Sequence, residues 1–460
     1  MALNIVIMAA GKGTRMKSRR AKPLHRLAGR SLLQHVLDSA SKLGADRIVA
    51  VTGYGAEQVE AAVQAPNLRF VRQMPQLGTG HAVQQAAPEL LAGGTTLILN
   101  GDVPLIGSDT MRALVDACAG RQLALLTALL DDPSGYGRIV RRGERLEAIV
   151  EHKDATPEQR AIREVYTGVM AAPTAQRARW LGALKNDNAQ QEYYLTDVVA
   201  MAVADEVPVV AVQAASVDEI LGVNSPAQLA DLERRLQRSI AETLMDAGVR
   251  LADPSRLDVR GRLSCGSDVE IDVGCVFEGR VRLGDDVTIG PHCVIRNADI
   301  GGGARIEAYT HIDGESLGAT VGAEARVGPF ARLRPGAALG PEVHIGNFVE
   351  VKNSTLGRGA KANHLAYLGD AEVGERVNYG AGSITANYDG ANKHRTVIGA
   401  DVQVGSNCVL VAPLTIGAGA TIGGGSTIAA DAPAGALTLA RARQITIPRW
   451  QRPAKKKQPG

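Results

Sequence analysis

The chain has 460 residues, a length that suits two large domains, and its 51 Lys and Arg against 48 Asp and Glu leave a formal charge of +3, too small to argue for nucleic acid or a membrane surface as a partner. Aromatic residues make up only 3 %, which weighs against base stacking. The five cysteines, Cys118, Cys265, Cys275, Cys293 and Cys408, are odd in number and lack CxxC spacing, so neither a disulfide framework nor a zinc ribbon is expected and a reducing, cytosolic setting is the simplest reading.

Leu3 to Ala10 is apolar but too short to span a bilayer, and it runs into a Gly-rich turn where a signal peptide would have a cleavage site. It reads as a first buried strand, Asn4 to Met8. Gly11-Lys12-Gly13-Thr14-Arg15 follows. Glycines in such a turn let backbone N–H groups approach a phosphate, with Arg15 and Lys22 adding positive charge. The spacing is neither that of the nucleotide P-loop nor GxGxxG, because Met16 fills the final position, so an ordinary strand-to-helix turn stays open as a reading.

The alternation that follows predicts a helix over Leu32 to Leu43, a strand over Arg47 to Thr52, a helix over Gly55 to Val63, a strand over Leu68 to Arg72, a helix over Gly80 to Leu91 and an apolar strand beginning at Thr95. That order implies a doubly wound α/β layer with a mostly parallel sheet. The last strand ends in Asn100-Gly101-Asp102. Ligands of such folds sit beyond the carboxyl ends of the strands, so Asp102 is expected to face the crevice of the Gly11 loop. A lone Asp there commonly caps or turns the chain; beside a cationic loop it has a second reading, as a carboxylate that reaches phosphates through a magnesium ion. Gly135 to Ile139, Glu151 to Asp154, Asn188 to Asp197 and Gly222 to Asn224 read as loops, and their spacing alone carries no chemistry.

From Ala227 to Ala247, Leu229, Leu232, Leu236, Ile240 and Leu244 share one helical face, behind a Ser225-Pro226 start and ahead of Gly248. The expectation is an amphipathic helix serving as a rigid spacer, since about three heptads make a poor zipper. Beyond it, from about residue 266 to 430, a period of six takes over. Aliphatic residues recur at Val321, Val327, Leu333, Leu339, Ile345 and Val351, and again at Ile398, Val404, Leu410, Ile416, Ile422 and Ile428, often followed by Gly. Six fits one flat face plus one corner of a parallel β-helix, with glycine expected to supply the sharp corner backbone. The register slips by one near Leu356 and breaks between Thr385 and Ile398, where Asn387 to Arg395 intrudes. His364 lies by the slip; a lone histidine is commonly a bystander, and His292, His311 and His344 have no better claim. The basic, Pro-rich stretch from Arg449 reads as a solvated tail.

The strings MAAGKGTRM at 8–16 with Lys22, QLGTGHA at 76–82, NGD at 100–102, YGRI at 136–139, EHKDAT at 151–156, EYYLTD at 192–197 and GVN at 222–224 resemble sugar-1-phosphate nucleotidylyltransferases. RLRPG around Arg334, FVEVKN around Lys352, NHLAYLGDA with His364 and Tyr367, VNYGAGSITANYDGANKH from Val377, and VGSN with Ser406 extend the likeness. Nearly the whole chain is similar to the bifunctional N-acetylglucosamine-1-phosphate uridylyltransferase / glucosamine-1-phosphate N-acetyltransferase family.

The resemblance implies a uridylyltransferase domain over residues 1–226, a helical linker at 227–247, and an N-acetyltransferase domain over 248–460 folded as a left-handed parallel β-helix of hexapeptide repeats. It gives Asp102 and Asn224 to Mg2+, and Met8, Ala9, Ala10, Gly11, Lys22, Gln73, Gly78, Thr79, Asn100, Gly101, Gly137, Glu151 and Asn224 to UTP or the UDP-sugar. Arg15 matches the catalytic cation beside the triphosphate and His364 the general base of acetyl transfer. Arg334, Lys352, Tyr367 and Asn378 match contacts to the sugar-phosphate acceptor; Ala381, Asn387, Tyr388, Ser406, Gly424 and Arg441 match positions near acetyl-CoA, where Arg449 is a further cation in reach of its phosphates. Tyr166 stands where the family usually has Asn, and Gly424 where it often has Ala.

The implied substrates are glucosamine 1-phosphate, N-acetylglucosamine 1-phosphate, UTP and acetyl-CoA. The implied setting is cytoplasmic, as a homotrimer without nucleic-acid or membrane partners, in the supply of UDP-N-acetylglucosamine for cell-wall polymers. A nucleotidylyltransferase whose β-helix serves only assembly is the competing reading, and a zinc hydratase on a hexapeptide trimer a more distant one.

Overall fold

The computed structural model describes residues 2–453; the tail from residue 454 onward lies outside them. The chain forms two compact units, Met1–Ser239 and Ile240–Gly460.

The first unit is built on a nine-stranded sheet. In chain order its main elements are β1 (Leu3–Met8), α1 (Leu32–Ser41), β2 (Arg47–Thr52), α2 (Ala56–Ala62), β3 (Leu68–Arg72), α3 (Thr79–Ala86), β4 (Thr95–Asn100), α4 (Ser108–Cys118), β5 (Leu123–Leu129), β6 (Gly137–Arg142), β7 (Arg145–Val150), β8 (Glu164–Pro173), α5 (Thr174–Ala183), α6 (Val198–Ala204) and β9 (Val209–Gln213). The main path runs β9-β5-β8-β4-β1-β2-β3, with β6 and β7 branching from β8. β1, β2, β3 and β4 pair in parallel, as do β9 and β5, while β8 runs antiparallel to β4 and β5.

Burial on both faces explains why the central strands read as continuous apolar runs. Ile5 and Ile7 pack with Leu33, Val36 and Leu37 of α1, whereas Val6, pointing the other way, packs with Val83 and Ala86 of α3. The strands over Arg47–Thr52 and Leu68–Arg72 fall where the alternation puts them. The third helix is shorter than expected, ending at Ala86, because Pro88 enters a 3-10 turn at Ala87–Glu89 instead of continuing an α-helical ladder.

α7 (Pro226–Asp246) starts as its sequence suggests: Ser225 Oγ accepts the Gln228 N–H at 3.2 Å and Pro226 occupies the first turn. Gly248 follows its end with φ of 94°. Leu229, Leu232 and Leu236 pack with Met16, Leu27, Leu32 and Val223, while Ala241, Ile240 and Leu244 belong to the apolar core of the second unit.

The second unit is a parallel β-helix. One face carries eleven short strands; the other two belong to a sixteen-stranded sheet, continuous through the long strands Leu257–Cys265, Cys275–Leu283 and Val294–Ile300. Leu257 pairs with Cys275 and Gln403 with Thr421, eighteen residues on in each case. All twelve aliphatic residues of the two regular runs point inward, each at 4 % exposure or less.

The role expected of the glycines holds at corners such as Gly328 (φ 108°), Gly336 (φ 78°) and Gly419 (φ 68°), but at most of those that directly follow the inward aliphatic residues the structure corrects it. Gly322, Gly340 and Gly405 do not have left-handed backbones; they are required because coils approach closely, so that a Cβ on Gly322 would lie 2.4 Å from the Gly340 carbonyl carbon. Many left-handed corners are held instead by larger residues, among them Asp286, Glu324, Asn353, Asp370 and Asn407. The slip at Leu356 is real, since it pairs with Leu339, seventeen residues back. The intrusion is real too: Val373 pairs with Ile398, twenty-five residues on. A third irregularity escaped notice in the sequence, a coil lengthened around Asp313–Gly318 so that Ile300 pairs with Val321. It lies just ahead of the first regular run and interrupts no pattern.

Candidate active sites

In the first unit, strand order reverses on either side of β1, and the crevice this leaves lies beyond the carboxyl ends of β1 and β4. Two adjoining cavities, of about 350 and 410 Å³, share Met8, Thr79, Asn100 and Asp102 as walls. Met8, Ala9, Ala10, Gly11, Lys22, Gln73, Gly78, Thr79, Asn100 and Gly101 line one, while Arg15, Asp102, Gly137, Glu151 and Asn224 line the other.

The loop after β1 opens only a single 3-10 turn, Thr14–Met16, so phosphate recognition there rests on individual N–H groups and cations rather than on a long helix end. The glycine its own structure demands is Gly13, with φ of 62° and a Cβ position 2.7 Å from Lys22 Cβ; a Cβ on Gly11 would meet nothing within 4 Å. Gly78 has φ of 105° and lies against the Tyr193 backbone, which sets the start of α3. Gln73 is 3 % exposed, its amide nitrogen held by the Gly78 carbonyl at 2.9 Å and by His81 Nδ1 at 3.1 Å.

Lys22 donates to both Asp102 Oδ2 and Asn224 Oδ1, the latter at 2.7 Å. The two oxygens thus converge on one cation. One carboxylate and one amide oxygen form a donor set that suits a hard divalent ion whose other positions go to water and phosphate oxygens. The pair fits magnesium once the lysine turns away.

Burial, first, and then the charges of Asp154, Asp197 and Glu192 push the Glu151 carboxyl above the ordinary carboxylate range, against a 3.2 Å hydrogen bond donated by Thr196. Tyr166 is 6 % exposed, and its ring belongs to the core layer of Leu125, Ile139 and Met170. Its hydroxyl has no hydrogen-bond partner among the described residues. Residues of this site that the sequence did not single out include Gln76, which donates to the Ala10 carbonyl at 2.7 Å, and Thr196. Gln76 had a signal, as the first letter of QLGTGHA; Thr196 lay in a string with no periodicity.

The second unit gathers its candidates into separate groups on the prism surface. Exposed His364 pairs through Nδ1 with Asn347 Oδ1 at 2.9 Å, across adjacent coils. An amide oxygen there accepts the Nδ1 proton, leaving Nε2 free to act as a base. Arg334 pairs with Glu350 at 2.9 Å. Lys352 Nζ donates to both oxygens of Asp370, at 3.1 and 3.2 Å, and Asn387 Nδ2 donates to the same carboxylate at 2.5 Å. Tyr367 is half-buried on the strand that follows His364, and Asn378 is exposed on the next coil.

Tyr388 is 61 % exposed at the start of the inserted loop. Ala381 accepts the Asn407 N–H at 2.8 Å, Ser406 accepts that of Gly425 at 2.8 Å, and Arg441 Nη1 donates to the Gly424 carbonyl at 2.7 Å. Among the described residues no side-chain hydrogen bond joins the His364, Asp370 and Arg441 groups. Asn347, Glu350 and Asp370 had escaped the sequence reading, because each acts on a partner about one coil away.

A MobA-like NTP transferase domain model matches residues 5–248, and a bacterial transferase hexapeptide model (six repeats) matches residues 264–297 and 395–430. The chain is 74 % identical over 477 aligned residues to the bifunctional protein GlmU of Methylibium petroleiphilum, covering 99 % of this chain and 100 % of that one. The chain belongs to the bifunctional GlmU family. GlmU proteins of an Acidovorax species and of Paracidovorax citrulli are 64 % and 66 % identical, each across 99 % of both chains. A nucleotidyl transferase of solved structure from Methanothermobacter thermautotroptrophicus has a TM-score of 0.37 at 18 % identity, over 52 % of this chain and 99 % of that one. The architecture is that of GlmU: a nucleotidyltransferase unit and a left-handed β-helix of hexapeptide repeats.

Proposed function

We propose that this protein performs two reactions in UDP-N-acetylglucosamine synthesis. Residues 248–460 acetylate glucosamine 1-phosphate from acetyl-CoA, residues 1–226 join the product to UMP from UTP, and 227–247 link them. The observation that carries this reading is identity along both units to a bifunctional GlmU protein, 74 % over 99 % of the chain.

In acetyl transfer, Arg334, Lys352, Tyr367 and Asn378 hold the sugar phosphate, and Ala381, Asn387, Tyr388, Ser406, Gly424 and Arg441 hold acetyl-CoA. His364 Nε2 takes a proton from the amine as its nitrogen attacks the thioester carbonyl; the thiolate of coenzyme A leaves and is protonated. Asn347 keeps the imidazole in the basic tautomer.

In uridylyl transfer, a phosphate oxygen of N-acetylglucosamine 1-phosphate attacks the α-phosphorus of UTP and pyrophosphate leaves, with no side-chain nucleophile. Met8 to Gly11, Gln73, Gly78, Thr79, Asn100, Gly101, Gly137 and Glu151 bind nucleotide and sugar in line. Arg15 and Lys22 stabilise the charge that develops on the pyrophosphate. Bound at Asp102 and Asn224, Mg2+ supplies further neutralisation of phosphate charge. The enzyme is placed in the cytoplasm by its small-molecule substrates, and the exposed acetyl-transfer residues suit a homotrimer in which a neighbouring copy completes the site; no helix among the described residues is long and apolar enough to cross a membrane.

His364→Ala should lower acetyl transfer by about 10²- to 10⁴-fold and spare uridylyl transfer. Asp102→Asn should do the converse. Equal loss of both activities in a folded variant of either kind would refute the division of labour.

A further inference from the structure

One buried carboxylate holds side chains assigned to two different substrates. Asp370 is 6 % exposed and sits at a left-handed corner, φ 51°, after the strand Tyr367–Gly369. Its oxygens accept from Lys352 Nζ, from Asn353 Nδ2 at 2.6 Å and from Asn387 Nδ2 at 2.5 Å. Its backbone is tied on both sides too: its N–H donates to the Lys352 carbonyl at 3.0 Å, and its carbonyl accepts the Thr396 N–H at 3.2 Å.

Asn387 opens the segment that interrupts the repeat and Thr396 follows that segment, so one residue grips both feet of the loop that carries Tyr388. Burial pushes this carboxyl up, yet the hydrogen bonds from Asn353, Lys352 and Asn387 hold it below the ordinary range, so it stays an anion in the fold. Lys352, whose side chain is 15 % exposed, cannot leave that anion without stranding it.

We propose that Asp370 is a positioning residue that couples the two subsites of acetyl transfer, fixing the acceptor's Lys352 and the donor loop's Asn387 through a single side chain. The inference rests on the assignment of Lys352 to the sugar phosphate and Asn387 to acetyl-CoA. Ordering either arm orders the other, so the two ligands bind synergistically.

Calorimetry on the full-length protein tests this, with glucosamine 1-phosphate titrated in the absence and presence of free coenzyme A, which cannot turn over. Coenzyme A should tighten acceptor binding by about fivefold or more in the wild type. In Asp370→Asn, whose side chain keeps its shape and tolerates the left-handed corner, the factor should fall below about twofold. Uridylyl transfer should be unchanged, while the unfolding temperature falls because Lys352 loses its buried counter-ion. Asn387→Ala, which cuts one arm only, should also abolish the synergy, so the test survives if the first variant does not fold. Synergy that persists in both variants, or is absent from the wild type, overturns the inference. If Lys352→Met leaves acceptor binding and Asn387→Ala leaves coenzyme A binding unaltered, the subsite assignment itself is wrong; if both weaken binding but Asp370→Asn keeps the synergy, only the role of Asp370 falls.

Discussion

Asn347 does for His364, the proposed general base, what a carboxylate does in many catalytic pairs, but without charge: it orients the ring and selects the tautomer. Asn347→Ala should therefore lower kcat of acetyl transfer by about tenfold, within the range of a misoriented general base, while KM for glucosamine 1-phosphate changes little. An unchanged kcat would show that the hydrogen bond does not matter. Glu151 presents the opposite case, a carboxyl raised by burial and by neighbouring carboxylates. Because its folded pKa exceeds the unfolded one, it costs no stability at pH values below the ordinary carboxylate range, and the penalty grows as pH rises through the raised value. Glu151→Gln should stabilise the first unit at neutral pH, on the order of 1 kcal/mol, with the gain vanishing in acid, and should impair uridylyl transfer. Unfolding midpoints at neutral and acid pH read the sign directly.

At the scale of elements, glycine does two different jobs. In the β-helix it admits a neighbouring coil: Gly322→Ala would press a methyl group onto the backbone of Gly340 and Pro341, which cannot yield as a side-chain tip does. Denaturant unfolding should show a loss of roughly 1–3 kcal/mol. Gly182, near the end of α5, faces open space, and Gly182→Ala should stabilise by about 0.5–1 kcal/mol through helix propensity alone. A similar outcome at the two positions would mean that coil contact is not what retains Gly322. The repeat's irregular places also matter as elements. The seventeen-residue step at Leu356 precedes His364, and the twenty-five-residue step past Val373 accommodates the loop of Asn387 and Tyr388.

For the whole molecule, the two sites differ in how much of their environment one chain supplies. The residues proposed for uridylyl transfer line two half-open cavities within one unit, whereas His364, Asn378, Tyr388 and Arg441 lie exposed on the prism. Acetyl transfer should therefore lose specific activity on dilution below the concentration at which copies associate, while uridylyl transfer stays proportional to enzyme. Parallel decline of both would place the dependence elsewhere.

The boundaries of β1, β2, β3, β4 and α7 were legible to within about two residues because each follows a local pattern: apolar runs buried on both faces, or an amphipathic stripe with a Ser-Pro start. The β-helix was legible from its six-residue period, while the candidate site residues came only from strings shared with a family. Three things required the tertiary structure. The antiparallel β8 depends on pairing between distant segments. The left-handed corners at Asp286 or Asp370 depend on turns whose residues are not glycine. The support of the proposed site groups, Asn347 under His364 and Asp370 between Lys352 and Asn387, depends on coil stacking, which sets side by side residues seventeen or eighteen apart in the chain. Local sequence thus determined which elements form and which chemistry they carry, and stacking across coils decided which side chains hold that chemistry in place, because hydrogen bonds between coils leave no periodic trace along the chain.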